Sequence, residues 1–244
     1  MLKAVYINEL YKLRKKKKIA VSVVLTVIAV IIATAGAALL DNFGGVRIAG
    51  TASLPILVCS VLAYSLWPIY AILVTVDVFG GEFRDQTMKM TLLRPVLRWK
   101  VYLAKLAACI TYVAASLVLT LVLTVVASLC LGVEVAFLKD LAAYALTLIP
   151  LAVFVTMVAF LSLLIKSTGG AFALSVGLFL LMQIFGVVNS HMDSFLFTSA
   201  FSWYRLFGGA TMYGGKILRV FGMLVGNAAL WGGLGLYLFE KRDL

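Results

Sequence analysis

Charge is scarce in this chain: Asp, Glu, Lys and Arg make up 13% of its 244 residues, while 64% are hydrophobic. A soluble domain of that length does not carry such a balance, so the solvent for most of the chain is a lipid bilayer. Histidine is nearly absent. His191 stands alone between Asn189 and Asp193, and one imidazole does not assemble a typical zinc site. The cysteines Cys59, Cys109 and Cys130 are odd in number and fall inside apolar runs, which argues against a disulfide framework. The apolar runs offer Ser and Thr with no His, Asp or Glu beside them, so a membrane-embedded hydrolase has no visible base. A phosphate-binding loop is missing too. The nearest match, Gly214-Gly215-Lys216, has Ala210 where the first Gly belongs and Ile217 after the Lys. The expectation is a chain that is not an enzyme and holds no metal or cofactor of its own.

What is present is apolar length. About 20 consecutive apolar residues cross the hydrocarbon core as a helix. Six stretches satisfy this, at 19–40, 54–76, 106–131, 141–165, 168–188 and 220–239, and none contains a Lys, Arg, Asp or Glu. The predicted fold is all-α and integral to the membrane, a single transmembrane domain over residues 1–244 with no length left for a soluble one. A basic run, an apolar stretch and Ala33-Thr34-Ala35 imitate a cleavable secretory signal, but the run exceeds a typical signal core and is read as a retained first span.

Basic residues settle the expected orientation, because Lys and Arg resist translocation. Sixteen of the 21 fall on one side: Lys3, Lys12, Arg14, Lys15 to Lys18, Arg84, Lys89, Arg94, Arg98, Lys100, Lys105, Lys166, Lys241 and Arg242. The other side holds Arg47, Lys139, Arg205, Lys216 and Arg219. Both termini are therefore expected to be cytoplasmic. The net charge of +11 reads as a topology signal and a match to anionic headgroups, with no nucleic acid implied.

Residues 1–18 place Leu2, Val5, Tyr6, Leu10 and Leu13 at near-helical spacing among lysines, which predicts an amphipathic helix lying in the headgroup layer. The outer connection at 189–219 carries Phe195, Phe197, Phe201, Trp203, Tyr204, Phe207 and Tyr213, as expected of a hairpin dipping into the leaflet or of an aromatic belt. Gly169, Ala173 and Gly177 in the fifth span, and Gly222, Gly226 and Gly233 in the sixth, allow close helix approach either within the chain or between subunits. Gln183 is expected to hydrogen-bond between helices. Asp77 sits at the inner edge of the second span, where partial solvation lowers its cost.

The one long stretch of mixed polarity runs from Gly80 to Leu106. Gly80 and Gly81 are expected to break the second span, and Glu82 and Asp85 suit a new helix N-terminus. Pro95 biases Arg94 away from helical geometry. Lys100, Tyr102 and Lys105 then open the next span, with polar heads snorkelling toward the surface. The coupling loop so defined covers 80–100. In it a short amphipathic helix parallel to the membrane is expected, with Phe83, Met90 and Leu93 on its inward side and Arg84, Asp85 and Lys89 offering charged contacts.

On Glu82, Thr87, Leu92, Leu93, Pro95, Arg98 and Lys105 the chain resembles permease subunits of ABC exporters of the ABC-2 type. The likeness is particularly to the small six-span branch associated with bacitracin and lantibiotic resistance. Gln86 stands where that pattern usually has Gly. The resemblance implies a bacterial plasma-membrane protein with an N-terminal interfacial helix, an inner coupling helix and an aromatic outer hairpin between spans five and six. It implies two copies of a partner ABC ATPase, which binds the ATP and Mg, and a second permease, identical or related. Glu82, Phe83, Arg84, Asp85, Thr87, Lys89, Pro95 and Arg98 would then be ATPase-coupling residues. Gly169, Ala173, Gly177, Gly222 and Gly226 would pack subunits together. The cargo would be amphipathic or hydrophobic, such as an antimicrobial peptide. An ion-coupled secondary transporter is the alternative, for which buried carboxylates or broken spans in symmetric halves would be expected.

Overall fold

The computed structural model describes residues 2–43, 53–84, 97–133, 135–165, 167–188, 200–201, 203–204, 207 and 214–241. Among them all regular structure is helical: α1 (Leu2–Arg14), α2 (Lys17–Phe43), α3 (Leu54–Ala63), α4 (Leu66–Arg84), α5 (Arg98–Cys130), α6 (Phe137–Leu164), α7 (Thr168–Val188) and α8 (Gly214–Lys241). Five are long and apolar enough to cross a bilayer singly, and α3 with α4, bent by 49°, brings the candidates to six when the pair counts as one span. Lipid supplies no hydrophobic drive between helices, so close packing and hydrogen bonds hold the bundle. Of the five helices that could cross singly the most enclosed is α6, packed by α3, α4, α5, α7 and α8.

The second span is broken at Tyr64 and Ser65, not at Gly80 and Gly81, through which α4 continues to Arg84. Pro68 is the physical reason. In an unbroken helix its ring would collide with the carbonyl of Tyr64, and it has no N–H to donate there. Gly80 has a different task. A Cβ on it would stand 3.1 Å from Thr168 Cγ2, so its small size admits the start of α7 beside α4.

Pro150 has the same chemistry but lies inside an unbroken α6. It too cannot donate to the carbonyl four residues back, that of Leu146. The Trp203 indole takes that place, with Nε1 donating to Leu146 O at 2.8 Å. A proline within a span is tolerated when a neighbour satisfies the freed backbone group in this way. Trp203 belongs to the aromatic connection, whose Ala200, Phe201, Trp203 and Tyr204 are all buried. Phe201 meets Tyr64 at the break in the second span (5.8 Å between ring centroids) and Phe154 on α6 (6.3 Å). These aromatics pack against protein. The connection is also shorter than 189–219, because α8 already begins at Gly214; Phe195, Phe197 and Tyr213 lie outside the described residues.

The close internal seam uses Ser and Thr. Ser116, Thr120, Thr124 and Ser128 are buried at four-residue spacing on α5, and each hydroxyl returns to a carbonyl of its own helix at 2.7–2.9 Å. The glycine positions of the fifth and sixth spans do not make such a seam. A Cβ added at Gly169, Gly177, Gly222, Gly226 or Gly233 would meet nothing within 4 Å among the described residues, and Ala173 is exposed.

Candidate functional site

At one end of the bundle α1, the start of α2, the last turns of α4, the start of α5 and the end of α8 come together, around the point where the polar 85–96 connection leaves α4 and enters α5. Helix α1 lays Tyr6, Glu9, Leu10 and Leu13 on one side by helical spacing, and that side packs on α5. Tyr6 Oη and Thr111 Oγ1 share a 2.8 Å hydrogen bond. The apolar side predicted to sink into lipid is thus turned toward protein, and it contains a carboxylate.

Glu9 is 2% exposed, and Lys105, opposite it on α5, is 0% exposed. Lys105 Nζ lies 3.3 Å from Glu9 Oε2 and 3.4 Å from the carbonyl of Val78 on α4, while Lys12 Nζ holds Glu9 Oε1 at 2.9 Å. Lys105 therefore does not snorkel. Its ammonium has a buried anion within reach, and satisfying that anion replaces the water both charges have lost.

A second clasp stands beside the first. Lys16 Nζ binds Asp77 Oδ2 at 2.6 Å and Lys18 Nζ binds Oδ1 at 2.8 Å, joining the α1–α2 junction to α4. Partial solvation is not what sustains Asp77: its side chain is only 13% exposed, and two cations neutralise it. Around this joint Ser22 and Tyr112 share a hydroxyl–hydroxyl hydrogen bond, and Tyr70 donates to the Ser22 carbonyl at 2.8 Å.

The first turns of α5 also hold α8. Arg98 Nη1 donates to Glu240 O at 2.7 Å, and the Tyr102 hydroxyl approaches Gly232 O at 3.4 Å. The Tyr102 ring lies between Phe79 (5.7 Å) and Phe239 (5.6 Å). A Cβ at Gly235 would run into the Tyr102 hydroxyl, so this glycine is the notch that receives it.

Of the residues singled out by sequence, Glu82, Phe83 and Arg84 form the last turn of α4, and Arg98 opens α5. Asp85, Thr87, Lys89 and Pro95 lie outside the described residues. Glu9 was missed, although a signal existed. It is the only acidic residue in the first 40 and falls on the apolar side of an amphipathic helix, where an unpaired charge would be costly. Gln183 Nε2 has no hydrogen-bond partner among the described residues, contrary to the expectation for it.

Carboxylates buried inside the bundle were unforeseen, and the break in the second span lies at Tyr64 and Ser65, away from where it was expected. The third carboxylate, Asp140, lies at the far end of the bundle, 0% exposed, in the first turn of α6. Ser53 Oγ donates to its Oδ1, and Oδ2 has no hydrogen-bond partner among the described residues. No three His, Cys, Asp or Glu among the described residues are grouped to hold a metal.

The sequence model of the ABC-2 family transporter proteins matches residues 3–244. No curated protein matches the chain.

Proposed function

Because this chain belongs to the ABC-2 transporter family, a membrane component of an ABC transporter, we propose that it is the permease of a bacterial exporter driven by two copies of a separate ABC ATPase. The observation that supports this best is positional. The long polar connection leaves α4 at Arg84 and enters α5 at Arg98, at the same end of the bundle as α1, the close of α8 and two lysine–carboxylate clasps. In this reading that end faces the cytoplasm, α1 lies along the inner leaflet, and Glu82, Phe83, Arg84, Asp85, Thr87, Lys89, Pro95 and Arg98 receive the motion of the ATPase. Arg98 does so while tethering α8 through Glu240.

A second permease, identical or related, completes the pore. The small residues Gly169, Ala173 and Gly177 of α7 and Gly222 and Gly226 of α8 suit that contact, since a Cβ on any of these glycines would meet nothing within 4 Å among the described residues. The cargo is amphipathic or hydrophobic, and an antimicrobial peptide fits that class.

Co-expression with an ABC ATPase encoded beside it should yield a stable complex that hydrolyses ATP, whereas the purified chain alone should not. Changing Glu82 and Arg84 together to Ala should lower substrate-stimulated hydrolysis while the spans stay folded. Solute movement by liposomes containing this chain alone, driven by an ion gradient, would instead favour the secondary-transporter reading.

A further inference from the structure

Resting on that ATPase-driven reading, we propose that Glu9, Lys105 and Asp77 are positioning residues. They lock α1, the α1–α2 junction, α4 and α5 into one block, so that displacement of the 85–96 connection is delivered to the first span as well as to the two spans it joins.

The geometry converges on two successive residues of α4. Asp77 takes the ammonium groups of Lys16 and Lys18 from the junction, and the carbonyl of Val78 faces Lys105 of α5, which also holds Glu9 of α1. Four helices are thus tied at one level of the bundle, close to the last turn of α4. Apolar contacts such as those of Leu10 and Leu13 resist separation but tolerate sliding, because dispersion has no preferred direction. An ion pair with both members buried tolerates neither, since a slide strands a charge away from water. A purely structural clasp would need no such placement. Tyr6 with Thr111 already fastens α1 to α5 by a neutral bond.

The experiment uses the permease–ATPase complex in liposomes, with bacitracin as the amphipathic peptide probe. E9Q, K105M and D77N are compared with the conservative E9D and K105R, and with Y6F, which removes a neutral α1–α5 bond. E9Q and K105M should retain bound ATPase and an unchanged KM for ATP, yet lose substrate stimulation of the maximal rate by about tenfold, within the usual range for coupling between sites. D77N should lose less. E9Q/K105M should be no worse than K105M alone, because one pair is broken once. E9D and K105R should restore much of the stimulation, and Y6F should leave it intact while lowering thermal stability. Wild-type stimulation in assembled E9Q and D77N complexes would overturn the inference, as would Y6F matching E9Q in lost stimulation. Should K105M fail to fold, E9Q and D77N still decide the matter. If the wild-type permease recruits no ATPase, the ATPase-driven reading fails first and this inference falls with it. That result differs from an assembled complex whose coupling ignores the clasps.

Discussion

The two ends of the bundle solve the burial of polar groups differently. At the end that carries the polar connection, Glu9 and Asp77 each sit between two lysines, and the neighbouring carbonyls of Val78 and Glu240 receive cationic donors. At the far end Asp140 has the Ser53 hydroxyl, Tyr144 donates to the Pro55 carbonyl at 3.2 Å, and Trp203 donates to Leu146. Charge-assisted bonds are about twice as strong as neutral ones. The first end is therefore cross-linked between helices by paired opposite charges, whereas at the second the one buried carboxylate has a hydroxyl partner and the other bonds are neutral. On the proposed ATPase-driven reading, this difference lets the first end move as a unit.

Breaking the charged end should have the largest effect. K105M leaves Glu9 buried with Lys12 as its remaining cation among the described residues and should cost ~3–5 kcal/mol of stability, read by thermal unfolding in mild detergent. Adding E9Q should recover most of that loss, because the stranded charge goes with it. W203F comes next. It leaves the Leu146 carbonyl without its donor and should cost about 1 kcal/mol, with increased proteolysis of the 189–213 connection as a second readout. The smallest effect belongs to D140N, which keeps an acceptor for Ser53 and removes a charge that has no counter-ion among the described residues; stability should shift by less than ~1 kcal/mol, and upward if at all. A D140N variant less stable than D77N would erase the contrast between the ends.

The apolar lengths were legible because the bilayer imposes one requirement on every span. The stretch at 168–188 coincides with α7, and the other stretches fall on the helices that cross. Inner details depended on neighbours that no local pattern records. Pro68 and Pro150 look alike in sequence. One breaks a span and the other does not, because Trp203 returns from 57 positions away to satisfy the carbonyl that Pro150 frees. Gly80 and Gly81 read as a break from their backbone freedom, but the helix uses Gly80 for closeness to Thr168. Lys105 reads as a snorkelling residue until its partner on α1 is known. Small-residue spacing found the exposed faces of α7 and α8, whereas the internal seam was written in Ser and Thr along α5.

The Trp203 bond also sets an order in time. A chain grown only as far as α6 would not yet hold the donor for the Leu146 carbonyl, Trp203, which lies 57 residues further on. The carbonyl that Pro150 cannot serve would then wait for the aromatic connection to close over it. A nascent chain arrested before residue 203 should show α6 accessible to protease or to membrane chaperones, and one arrested beyond α8 should not.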